Sequence, residues 1–351
     1  MTAILSRATQ RFGRRGVVIG GAVLAIVLLA LVPSMVSSFH VFVATRVLIF
    51  AIFAMALNLV FGFGGLPSLG HAAFFGIGGY TVAIGLARWG WEFWTIIAVA
   101  VLLGTVVGAL MGLLTIRTQG IYLLLLTLAF AQSIWALAFE QVEFTAGDNG
   151  ISGITRDGIP FGFGRDFYTF VLIIGVLLAV VMWLWVRSPA GRVLVGARES
   201  KSRMEALGCR VWPYRVGAFA LSGAISAIAG VLLVYLQGIA SPDLLDWTLS
   251  AEVLVICIIG GTRTLFGPAI GAGVVIVLQE VVSGYTERWN IVLGLLYILT
   301  MLVLREGLTG LAERLRSRRR RAPEGDEPEP PPNGDTDAAE PAPTKQAEAR
   351  P

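Results

Sequence analysis

Gly62-Phe63-Gly64-Gly65-Leu66-Pro67-Ser68-Leu69-Gly70-His71-Ala72-Ala73-Phe74-Phe75-Gly76-Ile77-Gly78-Gly79-Tyr80 joins two long apolar runs and contains no acid, lysine or arginine. Glycine at this density, with Pro67 among it, disfavours one continuous helix. If the stretch lies at membrane depth, its unwound backbone is tolerated only where protein or a polar cavity satisfies it. Ser68 is then placed to cap a helix beginning near Leu69. Such a helix start directs N–H groups and a positive dipole end at whatever fills the cavity, a fit for a substrate carboxylate. The same residues also fit a cytoplasmic turn with its cap. Ser68, Gly70 and His71 are the substrate-path residues this stretch offers.

The surroundings make the break an interruption in a membrane body. The 351 residues are 56% hydrophobic and 14% charged, with mean hydropathy +0.76. Soluble domains run near 45–50% apolar and about 25% charged, so too little polar surface exists here to cover a soluble fold. A bilayer-crossing helix needs about 20 largely apolar residues. Runs of that kind fall at about 17–36, 41–61, 70–87, 93–115, 120–139, 167–186, 216–237, 248–262, 267–283 and 290–304. The expected fold is all-α and polytopic, with about ten transmembrane helices, one or more broken or re-entrant. The eighth and ninth runs are short, and Gly260-Gly261-Thr262-Arg263-Thr264-Leu265-Phe266-Gly267-Pro268 between them reads as a tight turn or a broken helix.

Positive charge sets the orientation. With the N-terminus inside, 22 of the 27 Lys and Arg fall on the cytoplasmic side, leaving Arg46, Arg88, Arg156, Arg165 and Arg288 outside. Both termini are therefore expected in the cytoplasm. Merging runs eight and nine would push the arginine-rich C-terminus out. The basic residues from Arg7 to Arg15 followed by an apolar run resemble a signal peptide, but no convincing small-residue cleavage site follows, so an uncleaved first helix is expected. Residues 1–16 are expected to form a basic cytoplasmic start, 17–310 the transmembrane body, and 311–351 a cytoplasmic tail. Residues 323–351 carry a net −6 and many prolines, and the rest carries +10, which together give the formal +4. An acidic, Pro-rich tail of this kind is expected to be disordered. Arg314, Arg316 and Arg318 to Arg321 before it suit anionic lipid headgroups, or equally a plain stop-transfer anchor.

Several function classes lose support. A phosphate-cradling G-x-x-x-x-G-K-[ST] loop needs a lysine after glycine, and the two lysines, Lys201 and Lys345, follow Ser200 and Thr344. Any ATP must be bound by another chain. Two histidines and two cysteines leave metal sites and nucleophilic triads thinly provided for, so no metal, no catalytic residue and no enzymatic activity are expected. Ion-coupled carriers place ionisable groups inside the bilayer. Here Glu140, Glu252 and Glu280 lie near span ends, where they can reach water. Gly104, Gly108 and Gly112 recur every four residues, as do Ser222, Ser226 and Gly230, which reads as close helix packing or, less simply, as pore lining.

The glycine-rich stretch closely resembles the LivM-type inner-membrane permease subunits of the high-affinity branched-chain amino-acid ABC transporters, the LivH/LivM family. Three further segments share the likeness, in the family's order, over about residues 45 to 310. They are Arg117-Thr118-Gln119-Gly120-Ile121-Tyr122 leading into Thr127-Leu128-Ala129-Phe130-Ala131; Thr145-Ala146-Gly147-Asp148-Asn149-Gly150-Ile151-Ser152-Gly153-Ile154; and Ser188-Pro189-Ala190-Gly191-Arg192 through Glu205-Ala206-Leu207-Gly208. Pro67, Asp148 and the Glu-Ala-Leu-Gly sequence depart from the family's commonest residues, and urea and short-amide systems share much of the pattern.

The resemblance implies a permease in the cell membrane that works with a second, LivH-type permease, two LivG/LivF-type ATP-binding subunits and an extracytoplasmic amino-acid-binding protein, with no nucleic-acid partner. It also implies that the loop of about 187–215 is the coupling segment, with Glu205, Ala206 and Gly208 facing an ATPase groove. Ser188 with Pro189 reads independently as a helix N-cap followed by proline at the first helical position, and Gly208 as a stop. The outer loop of about 141–166 is too long for a simple connection; the family architecture would turn Asp148 and Asn149 toward the binding protein. A solvated cytoplasmic loop and a flexible outer loop are the plainer alternatives for these two segments. A lone ion-coupled transporter remains the competing class.

Overall fold

The computed structural model describes residues 27–285 apart from 32, 35, 155–161, 163 and 263, together with 291, 294, 295 and 298. Most of the expected runs appear as helices. Helix α1, Ser38–Asn58, continues through one π-helical turn, Leu59–Phe63. It is followed by α2, His71–Trp89, α3, Phe93–Leu114, and α4, Ile121–Glu140. After the outer loop come α5, Arg165–Arg187, then α6, Pro189–Glu199, and α7, Lys201–Ala206, in the expected coupling segment. Helices α8, Trp212–Gln237, α9, Trp247–Gly260, and α10, Gly267–Ser283, complete the body. The run at 17–36, the run at 290–304 and the whole tail lie wholly or largely outside the described residues.

Among the described residues, α1 with its π turn, α3, α4, α5 and α8 are long and apolar enough to cross a bilayer. Helix α2 is 19 residues long, but glycines, His71 and Arg88 dilute its apolar character. The eighth and ninth runs are separate helices of 14 and 17 residues, or about 21 and 26 Å at 1.5 Å per residue. They form a hairpin: a Cβ placed on Gly271 would lie 2.9 Å from the Gly260 nitrogen, so the two backbones touch where the turn begins.

Local signals at the helix ends act as the sequence suggests. Ser188 accepts from the Gly191 amide ahead of Pro189, and Asp246 accepts from the Thr248 amide at 2.7 Å. Gly90 (φ +58) and Gly238 (φ +77) end α2 and α8 in the left-handed region, where a side chain is disfavoured.

The core lies on α1 and α8. Of their most apolar windows 78% and 83% are buried inside the chain, against 22% for α4, whose faces are left for lipid or a partner. Helix α8 packs on α1, α2 and α3. The contact with α3 uses the glycine repeat: a Cβ on Gly104 would meet the Gly223 carbonyl at 2.6 Å, on Gly108 the Phe219 carbonyl at 2.5 Å, and on Gly112 the Val216 Cα at 2.8 Å. The repeat is a packing seam, as small residues provide wherever two helices approach closely.

Among its described residues, the segment expected to form the outer loop is tied down by a short strand pair. After a helical turn at Val142–Thr145 and a 3-10 turn at Gly147–Asn149, β1 (Ile151–Ser152) pairs antiparallel with β2 (Ile239–Ala240), with Ile151 opposite Ala240.

Candidate functional site

The break between α1 and α2 is held at one end of the bundle. The Arg198 guanidinium of α6 donates to the Gly62 carbonyl, and the Asn58 amide donates to the Thr264 carbonyl at 2.9 Å. The end of α1, the turn between α9 and α10, and the α6–α7 segment therefore meet. Val60, Leu66, Phe74, Met111, Leu194 and Phe219 form one buried cluster there. Leu194 of α6 thus belongs to the same buried cluster as Phe74, one turn beyond His71.

Ser68 and His71 are fully buried. Gly70 is wedged so tightly that a Cβ would lie 2.7 Å from the Thr127 carbonyl and 3.2 Å from the Met111 sulfur. The first helical residue is His71, not Leu69, so Ser68 does not cap the helix as expected. It closes a tight turn instead, accepting from the Gly70 amide at 3.2 Å.

The hydrogen bonds assign the tautomer of His71. Ser222 Oγ donates to the Ala56 carbonyl at 2.6 Å, so at 2.9 Å from His71 Nε2 it must accept, and Nε2 carries a proton. Nδ1, 3.0 Å from Ser68 Oγ, then accepts from that hydroxyl. Each ring nitrogen is paired with a hydroxyl. Backbone donors near the helix start are also occupied. Leu69 N–H donates to Thr127 Oγ1 at 3.1 Å, and Ala72 N–H to Ser250 Oγ at 2.7 Å. In this arrangement hydroxyls from α4, α8 and α9 hold the polar atoms that the sequence reading directed at a substrate. Thr127 opens one of the segments that carry the family likeness, but neither that segment nor the surroundings of Ser250 pointed to this role.

The segment expected to couple to an ATPase is a surface feature. Ser200 caps α7 by accepting from the Arg203 amide, Glu205 sits one turn after Lys201 with 3.7 Å between their charged atoms, and Gly208 (φ +80) turns the chain. Leu207 is 72% exposed. Glu205 and Gly208 line a cleft of about 330 Å³ with Ile116, Lys201, Trp212 and Arg215. Arg215 is buried there, and its Nε and Nη1 have no hydrogen-bond partner. At the other end of the bundle, Asp148 and Asn149 are exposed on their 3-10 turn. The three expected groups of site residues stay apart; only Ser68, Gly70 and His71 converge.

One expectation about the acids is corrected. Glu252 does not reach water freely: its Oε1 is buried without a hydrogen-bond partner. Glu280 keeps partial exposure but pairs with Arg46 at 3.7 Å. Among the described residues no three His, Cys, Asp or Glu side chains converge to hold a metal ion.

Comparison with known proteins adds the relationships. The chain is 33% identical over 305 residues to the high-affinity branched-chain amino acid transport system permease protein LivM of Salmonella typhimurium, covering 79% of this chain and 71% of that one. It is 32% identical to the LivM protein of Escherichia coli, with the same coverage. The probable branched-chain amino acid transport permease protein LivH of Methanocaldococcus jannaschii is 25% identical over 43% of this chain and 50% of its own. Residues 39–304 match the family described as the permease component of the branched-chain amino acid transport system, and the chain belongs to that family of integral membrane permeases.

Proposed function

We propose that this chain is the permease subunit of an ATP-binding cassette importer that brings leucine, isoleucine and valine into the cell after delivery by an extracytoplasmic binding protein. It crosses the membrane about ten times with both termini in the cytoplasm, and forms the path together with a second, homologous permease. The chain performs no covalent chemistry and holds no cofactor. ATP is bound and hydrolysed by two partner subunits, whose work shifts the populations of inward-open and outward-open states.

The LivM relatives support the substrate class. The observation that carries the mechanism is the bond from Arg198 to the Gly62 carbonyl, with Leu194 packed in the same cluster as Phe74. Glu205, Ala206 and Gly208 dock in the ATPase groove. Movement of α6 and α7 then reaches the break between α1 and α2, and through it the start of α2 at Ser68, Gly70 and His71. Asp148 and Asn149 meet the binding protein at the opposite end, and the basic run from Arg314 to Arg321 meets anionic lipid.

Reconstitution of the complete complex in proteoliposomes tests this reading. Leucine uptake should require both ATP and the loaded binding protein. Ala206→Arg should leave ATP hydrolysis running while uptake is lost. Preference for urea or short amides over the three amino acids would replace the substrate. Uptake by this chain alone, driven by an ion gradient, would refute the class.

A further inference from the structure

The cleft of about 330 Å³ beside α7 is walled on one side by the start of α8, at Val211, Trp212 and Arg215. Helix α8 is 26 residues long, yet Val211 at its N-cap supplies no side-chain cap and its first turn holds no acid. The helix ladder opens with the Arg215 amide on the Val211 carbonyl at 3.3 Å, so the earlier amides of Trp212 and Tyr214 find no acceptor in it. An uncapped start of a long helix presents N–H donors and the positive end of the dipole, which favours an anion.

Arg215 points independently to the same charge. It is 5% exposed and lines the cleft, and its Nε and Nη1 are buried with no hydrogen-bond partner. Nη2 bonds to no described residue and is not among the closed-off atoms, so it is the edge of the guanidinium open to the cleft. A buried cation without an anion loses solvation with nothing in return. The cleft holds one carboxylate, but Glu205 lies against Lys201 at 3.7 Å. Among the described residues no acid comes within ion-pair distance of Arg210 or Arg215, so a lining of three cations and one acid is short of negative charge. Exposed apolar side chains flank it, Leu207 at 72% and Trp212 at 47%. A desolvated charge ringed by apolar anchors is the pattern of a protein contact rather than of a site for a free ion.

We propose that this cleft receives an aspartate or glutamate side chain of an ATP-binding subunit. Its carboxylate accepts from Arg215 Nη2 and from the first-turn amides of α8, while Leu207 and Trp212 pack on the surface around it. The contact bears on transport because α8 packs on α1, α2 and α3 and carries Ser222, whose hydroxyl lies 2.9 Å from His71 Nε2. Ser222 follows Arg215 by seven residues, about 10 Å of helix. The ATPase thus grips the core helix itself as well as the α6–α7 segment. This inference rests on the transport reading above and adds the chemistry by which the ATPase is held.

The test measures binding of labelled ATP-binding subunits to the permease pair in phosphatidylcholine nanodiscs at about 0.1 M salt, where charges within about 10 Å still act. Arg215→Gln should raise the Kd at least tenfold, and Arg215→Lys, which keeps a cation, should stay within threefold of the wild type. Added salt should weaken wild-type binding more steeply than that of the Gln variant. A second readout needs no variant: hydrogen exchange of the wild-type peptide from Trp212 to Arg215 should slow at least tenfold when the ATP-binding subunits bind. Unslowed exchange overturns the site, whether or not Arg215→Gln folds. A folded Gln variant that binds within threefold of the wild type overturns it too. So does a defect seen only when the nanodiscs contain phosphatidylglycerol, which assigns the cleft to lipid headgroups. In each of these cases ATP-dependent leucine uptake by the wild-type complex spares the transport reading. Failure of the wild type to bind ATP-binding subunits at all overturns both.

Discussion

Ser222→Ala perturbs the buried chain that runs from the Ala56 carbonyl through Ser222 and His71 to Ser68. In the wild type Ser222 Oγ is the acceptor for His71 Nε2–H at 2.9 Å. Alanine leaves that N–H buried without a partner, at a cost of about 1–3 kcal/mol. The Ala56 carbonyl is less affected, because it also accepts from the Leu59 amide. In a His71→Leu background the imidazole is gone, and Ser222→Ala removes only the serine bond to Ala56, about 0.5–1.5 kcal/mol. The double-mutant cycle should therefore show coupling of about 1–2 kcal/mol between positions 71 and 222. Equilibrium unfolding of the detergent-solubilised chain in mixed micelles, followed by the fluorescence of its nine tryptophans, reads all four corners. Additivity within about 0.5 kcal/mol, the limit expected of independent sites, would refute the assigned tautomer and the chain built on it.

Other outcomes follow from the packing and the outer surface. Gly108→Leu should destabilise the α3–α8 seam by about 1–3 kcal/mol, since its Cβ meets the Phe219 carbonyl. Gly217→Ala, on the same α8 but with open space around it, should be neutral or stabilising by up to about 1 kcal/mol, and thermal unfolding compares the two. Arg198→Ala should leave ATP hydrolysis largely intact in the reconstituted complex and lower the uptake per ATP severalfold, because the contact with Gly62 is lost. Asp148→Arg should weaken docking of the binding protein at least tenfold without affecting assembly, as pull-down with the loaded binding protein would measure; unchanged docking would remove Asp148 from that role.

Apolar runs bounded by charge or glycine were enough to locate the eight long helices that fall among the described residues, since a membrane span must satisfy its own backbone and so writes its length into the sequence. Caps at Ser188 and the glycine repeat in α3 were legible for a related reason: both depend on neighbours within a few residues or on one helix face. The separation of α9 and α10 was legible through the Gly260 to Pro268 turn and the charge count.

The distant partners of the start of α2 were not legible. Ser222 is 151 positions from His71 and Ser250 lies 178 from Ala72, and no periodicity on one helix announces a hydroxyl on another. Nor did the sequence distinguish Glu252 and Glu280 from solvated helix ends; only the tertiary structure pairs Glu280 with Arg46 and buries Oε1 of Glu252. By itself the sequence determined where the chain crosses an apolar medium and which family it resembles, because local hydrophobicity and short motifs carry that information. The tertiary structure decided which polar groups are satisfied and which stay open, because hydrogen bonds and ion pairs form between helices whose relative placement is set by packing across the whole bundle.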